Sequence, residues 1–546
     1  MGSPLSWRMA AAVLIFVVSA FRIAFVGWWS PLDLSTDEAH YWDWSRNLDW
    51  SYYSKGPLVA WLIRLSLELC GSLSQTLTGS TVLAIRFPAI VCGAALLVAM
   101  YVLTVQVFKR DSLAFAVTAL MSVLPATTVG GVLITIDAPF VALWSWALVI
   151  GHCAVFGGKK WAWPLLGLVL GLGTLAKYTM LLWPASAILF CLFTPDYRPL
   201  LRRPGVWIAA VVLAVCCLPI LIWNIQHDWI SLKHVAGQAG VSQVDEKSSF
   251  RWVGPFEYIG GQFAVGMGVF FLIWLYSLVA SRPGREQNPQ KLFLWWMSVT
   301  TFLFFMTFSF RVSIQVNWPI AGFISGIVLA SDWLVQRWNH VIPHERRNWR
   351  FVTVLGCGLA VAVSLLALES QIARPLINPI VKNITARFVD PSSERAKAPL
   401  RIWDVSCRLR GWKDLARQID QIRAEIAEKE GREPLLATDR WNKAGEFGFY
   451  CQGNPRVSCF GRAVGDRYSQ YDLWRPNPID DAQEYRGRTF VIIGEPKAEY
   501  RDAFDRYVET EMKTLEYRED GELVTWMYVT IGQGFKGFKT IRPAGN

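Results

Sequence analysis

The stretch Leu34–Trp61, LSTDEAHYWDWSRNLDWSYYSKGPLVAW, follows directly on a hydrophobic run at about residues 9 to 29. Asp37, Glu38, His40 and Tyr41 fall within little more than one helical turn, Tyr53 follows, and Lys55 stands on a Gly-Pro corner. A loop that only joins two membrane helices has no need of acids, a histidine, aromatics and a lysine together. The reading of the chain therefore turns on which face of a membrane holds this segment.

The 546 residues are 53% hydrophobic and 18% charged, with 28 tryptophans and 31 phenylalanines, which lies outside ordinary soluble composition. Further apolar runs lie at about 85 to 108, 112 to 130, 138 to 156, 163 to 193, 205 to 223, 256 to 280, 292 to 309, 318 to 335 and 351 to 368. At ~20 residues per crossing, with 163 to 193 long enough for a broken pair, this predicts a mostly α-helical polytopic membrane protein of about eleven spans. The first run lacks a small-residue cleavage pattern and reads as a retained anchor.

Basic residues cluster in alternate loops: Lys109-Arg110, Lys159-Lys160, Arg198 with Arg202 and Arg203, Arg282 with Arg285 and Lys291, and Arg337 with Arg346, Arg347 and Arg350. The positive-inside rule puts these on the cytoplasmic side. The loop 30–84, the Asp137 turn and everything after residue 369 then lie on the external face. The net charge of +11 reports this topology and contact with anionic lipids, not nucleic acid.

Apolar character stops near Ala367, which divides the chain into a membrane domain 1–368, a linker 369–400 and an external α/β domain 401–546. In the last, GWKDLARQIDQIRAEIAEKEG has helical apolar spacing at Leu415, Ile419, Ile422 and Ile426, PLLATD reads as a short strand and RTFVIIGE as a buried one. Cys451 and Cys459 bracket an Asn-Pro turn in a region expected to be oxidising, so a disulfide is predicted between them.

Each candidate residue has a plain structural reading as well. Ser35-Thr36-Asp37-Glu38 matches a capping box, which accounts for Glu38 better than for the residues behind it. Asp137, with Pro139 close behind, reads as a helix cap or as an acid at the external mouth of the bundle. Lys177 splits a thirty-residue apolar stretch and marks an external turn, where an isolated lysine would only snorkel. His227, Asp228, Lys233 and His234 open a later external loop, and Arg311 closes that face; their spacing does not favour a metal site.

Taken in order, Asp37-Glu38-x-x-Tyr41, Tyr52-x-x-Lys55-x-Pro57-Leu58, Arg86-Phe87-Pro88, Thr135-x-Asp137-Ala138-Pro139 and LGLGTLAK ending at Lys177 resemble the ArnT and protein O-mannosyltransferase group of GT-C integral-membrane glycosyltransferases. The resemblance implies inverting transfer of a sugar from a polyprenyl-phosphate donor to an envelope acceptor, a lipid A or other lipid, a glycan or a protein, at the periplasmic face of a bacterial inner membrane. It gives catalytic roles to Asp37 and Asp137, the donor phosphate to Lys55 and the lining of the same cavity to Glu38, Tyr41, Tyr53 and Lys177; His40, His227, Lys233 and Arg311 are substrate-binding candidates from their place on the external face alone. His40 stands where the family carries arginine, and Ser54 replaces the acid before the lysine, so no metal is firmly implied. Two rival readings are a lipid-linked-sugar flippase, against which stands the absence of an internal repeat, and a membrane glycan-binding protein.

Overall fold

The apolar runs of the first 368 residues become helices, as a bilayer requires of backbone that must pair its own polar groups. In the computed structural model, which describes residues 3–238, 250–339, 342–390, 393, 398–539 and 541, they correspond run by run to the segments read in the sequence. Among the described residues six helices are long and apolar enough to cross a membrane: Pro4–Trp29, Val82–Phe108, Asp137–Val155, Pro204–Gln226, Pro289–Ser309 and Pro343–Leu368. A bent pair, Gly254–Val265 and Val269–Ala280, meets at 111° around Met267 and Gly268, both at positive φ. Shorter apolar helices are Asp111–Val123, Ala162–Ala176 and Tyr178–Phe193; Ile320–Trp338 and Leu58–Thr78, the latter outside the apolar runs read above, are further long helices of the unit. The chain is a multi-pass membrane protein.

Two compact units divide the chain: Met1–Trp28 with Trp50–Leu365, and Trp29–Asp49 with Leu366–Asn546. The first is the helical bundle. Its core gathers Trp144, Trp183, Trp274 and Phe293, and its closest helix pair, Ala162–Ala176 on Pro204–Gln226, meets through Gly167 and Gly171. A Cβ at either glycine would overlap the Ala209 carbonyl or Cys216, so the small-xxx-small spacing sets the approach. At one end of the bundle Arg110 (3.5 Å) and Lys291 (3.0 Å) converge on Asp332, and Arg8 binds Asp111 at 2.9 Å. The Lys109-Arg110 and Lys291 loops thus meet at one end of the bundle.

The second unit is a mixed six-stranded sheet, β1 (Leu435–Thr438), β2 (Val457–Cys459), β3 (Phe490–Ile493), β4 (Phe504–Tyr507), β5 (Lys513–Glu519) and β6 (Glu522–Phe535). Its order is β2-β1-β3-β6-β4 with β5 on β6; β1 runs parallel to β2 and β3, and the other pairs are antiparallel. The helix Trp412–Glu430 buries Leu415, Ile419, Ile422 and Ile426 as its periodicity required, and ends on Gly431 at φ 67°. The segment expected as a linker holds the helix Arg374–Phe388, whose Val381 joins Leu400, Cys407 and Val524 in a small apolar cluster.

The expected Cys451–Cys459 disulfide is not formed; both thiols are free and buried. Cys451 turns towards the Ala416 carbonyl of the neighbouring helix, while Cys459 ends β2 beside Gly461. Each fills apolar core space instead of bridging the turn between them.

Residues 29–49 belong to this second unit and not to the bundle they follow. The helix Thr36–Arg46 crosses the helix Trp441–Tyr450 closely because Gly445 lies against the Ala39 backbone, where any Cβ would collide. Trp42 packs edge-on to Phe449, Asp33 caps the helix starting at Trp412 with a 2.8 Å bond, and the Tyr450 hydroxyl accepts from Leu34 N at 2.7 Å.

Candidate active site

Lys177 interrupts its apolar run because the helix Ala162–Ala176 stops there: Lys177 takes an extended conformation (φ −152°, ψ 125°) before a short 3₁₀ turn, Tyr178–Leu181. Its ammonium donates to Asp137 Oδ1 at 2.7 Å and sits 5.4 Å above the Phe140 ring. Asp137 is the first residue of its helix, not its cap, so its carboxylate is free to face outward from the turn. Its second oxygen accepts from Asn317 Nδ2 at 2.7 Å, and its backbone N–H is met by Thr135 Oγ1 at 3.2 Å. With side chains 11% and 18% exposed, the Lys177–Asp137 pair is mostly shielded from solvent.

Lys55 comes to Lys177 through a second close approach. The Lys55 carbonyl closes a tight turn by accepting from Tyr52 N at 3.1 Å, and Gly56 then lies against the Leu175 carbonyl, leaving no room for a side chain. Ser54, Lys55, Lys177 and Tyr178 accordingly line one cavity of about 390 Å³. Its other walls are Leu181, Leu182, Phe304, Phe305, Phe308 and Trp318, with Val235 and Gln238 from the helix Ile230–Gln238. Two lysines in an otherwise aromatic and aliphatic lining suit an anion carried on a long apolar chain.

The remaining candidates disperse. Tyr53 packs at a tilt against His234, ring centroids 4.6 Å apart, so His234 and not Lys233 faces this turn; Lys233 is exposed. His227 lies flat on Trp223 at 4.0 Å and bonds its carbonyl, a ring held by its own helix. Arg311 is exposed and does not line the cavity. Asn317, which closes the same external face as Arg311 in the sequence, and Thr135 of the Thr-x-Asp-Ala-Pro motif both meet Asp137, while Tyr178 and the Phe304–Phe308 face, which no motif singled out, line the cavity.

In the second unit Asp37 is exposed in the first turn of its helix. Glu38 makes both bonds of the capping box: its carboxylate accepts from Ser35 N at 2.8 Å, and Ser35 Oγ accepts from Glu38 N at 3.2 Å. Glu38→Ala should therefore lower the stability of this unit by about 1 kcal/mol, while Glu38→Gln keeps the box; urea unfolding of the two variants checks it.

Tyr41 and His40 are buried. The His40 ring lies among Trp44, Trp441 and Tyr471 at centroid distances of 4.8, 4.9 and 5.3 Å, and its Nε2 accepts from Trp44 Nε1 at 3.1 Å. Burial, and secondarily the Arg467 charge, depress its pKa to about 3, so it is a neutral core imidazole and not the substrate-binding group expected at this position.

The pH dependence follows from that shift. An unfolded chain protonates His40 below about 6.5 and the folded one only near about 3, so the stability it contributes is present above 6.5 and falls on acidification. At pH 5 the loss is about 2 kcal/mol. Asp43, raised to about 6 by burial, tilts stability the opposite way between its ordinary range and 6. The readout is therefore the difference between wild type and His40→Gln, whose unfolding midpoint should fall less than that of wild type from pH 7.5 to pH 5.

The fold defined by this bundle and appended sheet is that of the GT-C membrane proteins. It aligns with ArnT from Cupriavidus metallidurans, solved bound to undecaprenyl phosphate, at a TM-score of 0.61 over 96% of this chain and 98% of that one, with 16% identity. Residues 54–223 match the family model described as dolichyl-phosphate-mannose-protein mannosyltransferase. The lipid A galacturonosyltransferase RgtD of Rhizobium johnstonii is 30% identical over 312 residues, 56% of this chain and 62% of that protein. The chain thus aligns with less than two thirds of that relative's length, and the resemblance drawn from the motifs holds.

Proposed function

We propose that the chain is a glycosyltransferase that takes a sugar from a polyprenyl-phosphate carrier and passes it to a lipid acceptor on the external face of a bacterial inner membrane. The observation that carries this reading is the cavity in which Lys55 and Lys177 share an otherwise apolar and aromatic lining. The carrier in the ArnT complex, undecaprenyl phosphate, and the acceptor in the name of RgtD, lipid A, are the substrate classes taken for this chain.

In the step, the acceptor oxygen attacks the anomeric carbon as the bond to the phosphate oxygen breaks, with inversion, and the electron pair leaves on the polyprenyl phosphate. Lys55 and Lys177 stabilise that growing negative charge in a low-dielectric chamber. Asp137 orients Lys177 through the 2.7 Å ion pair, itself steadied by Asn317, and so acts as a positioning residue. Asp37, on its motif, is the general base for a hydroxyl acceptor; with a phosphate acceptor it would orient an oxygen already ionised.

The test is reconstitution of the full chain in nanodiscs with lipid A and a panel of undecaprenyl-phosphate-linked sugars, galacturonic acid among them. A glycosyl mass increment on lipid A is the expected result. No product with any donor, together with movement of the donor between leaflets in proteoliposomes, would replace the transferase by a flippase.

A further inference from the structure

The helical unit contains a second cavity, bordered by Asp137 but by neither Lys177 nor Lys55, that the proposed chemistry leaves unused. It follows one face of the helix Ile320–Trp338, through Ile320, Phe323, Ile324, Ile327, Ala330 and Leu334. Those fourteen steps at 1.5 Å rise give a groove about 21 Å long, deeper than one leaflet of a ~30 Å hydrocarbon core. Gly93, Thr127, Gly130, Gly131 and Asp137 form another part of its wall.

Behind that wall is Arg22, in the last turn of the helix Pro4–Ala24 and 2% exposed. Its Nη2 donates to the Thr127 carbonyl at 2.9 Å, and its Nη1 has no hydrogen-bond partner among the described residues. Among those residues no carboxylate pairs with it, and Asp137 is already engaged by Lys177 and Asn317. The guanidinium lies so close to Gly93 and Gly131 that a Cβ on either would overlap it, so only bare backbone stands between the charge and the groove. An arginine within a span costs ~2.5–3.5 kcal/mol, and here no anion offsets it.

We infer that this groove holds an acyl chain of the acceptor lipid, and that the charge of Arg22 fixes the anionic headgroup beside Gly93 and Gly131. The inference rests on the reading of the acceptor as a lipid. Donor carrier and acceptor would then each border the Lys177–Asp137 pair, with the carrier's phosphate and the acceptor's head meeting at it. Asp137, which borders the groove, and Lys177, which borders the donor cavity, are joined in one ion pair.

Native mass spectrometry of the full chain in phosphatidylcholine nanodiscs, titrated separately with bis-phosphorylated lipid A and with undecaprenyl phosphate, tests this. Arg22→Met and the groove-filling Ile327→Trp should each weaken lipid A binding at least about tenfold, as expected for losing one low-dielectric charge interaction or the chain's seat. Both should bind undecaprenyl phosphate as wild type does, which also reports that they fold, and Arg22→Lys should retain most lipid A affinity. Lipid A binding unchanged in both variants would overturn the inference, as would displacement of lipid A by equimolar phosphatidylglycerol, which would make the occupant a bulk lipid. If no sugar is ever transferred while lipid A binding keeps this dependence, the transferase reading fails and the groove stands; if lipid A is glycosylated with an unchanged KM in both variants, the groove fails and that reading stands.

Discussion

Lys55→Ala should lower kcat/KM for the polyprenyl-phosphate donor by about 10²–10³-fold, the loss seen when one preorganised charge-stabilising donor is removed from a reacting centre. The lysine is held by a turn, not by a flexible loop: the Lys55 carbonyl accepts from Tyr52 N, and Gly56 is seated on the Leu175 carbonyl. Because the leaving phosphate carries more charge in the transition state than in the bound donor, kcat falls as well as affinity. Lys55→Arg recovers part of the binding but little of the rate, since a planar fork does not reproduce a point charge. Initial rates over a donor titration, with product followed by mass spectrometry, separate the two effects.

Asp137→Ala is expected to damage both stability and activity. It strands the Lys177 ammonium in a site only 11% exposed, and breaking a buried pair from one side costs about 3 kcal/mol. The double variant Asp137→Leu with Lys177→Met removes both charges and should recover most of the melting temperature in detergent, because apolar replacement of a buried pair is often neutral. It should not recover transfer, since half the positive charge at the cavity is gone. Activity returning along with stability would assign the pair to structure alone.

Much of the bundle was legible, for reasons tied to particular residues. A lysine at the centre of a long apolar run could only mark a break, and Lys177 does end its helix. The period of Leu415, Ile419, Ile422 and Ile426 survived in the helix Trp412–Glu430 because nothing tertiary competes with an amphipathic stripe on a sheet. The hairpin β5–β6 carried its own signal in Asp520-Gly521, both at positive φ, and was passed over in the reading.

What the sequence hid was long-range. The aromatic residues around His40 looked like a membrane-facing cluster, but their partners Trp441, Phe449 and Tyr471 lie some four hundred positions later, with no local pattern announcing them. The Phe304–Phe308 face lies in an apolar run with no mark of its own, and only the folded bundle brings it beside the lysines, as it brings Asn317 to Asp137. Glu38 illustrates the reverse: its plain reading as a capping-box acid was correct in every bond.

The central claim is that the Lys55–Lys177 cavity receives a polyprenyl phosphate. Photo-crosslinking the full chain in nanodiscs with a polyprenyl phosphate carrying a diazirine near the phosphate, followed by peptide mapping, addresses it directly. Labels are expected on Phe304, Phe305, Phe308 or Trp318, competed by unlabelled undecaprenyl phosphate and lost in Lys55→Ala. Labels confined to the Ile320–Leu334 groove, or unaffected by Lys55→Ala, would contradict it.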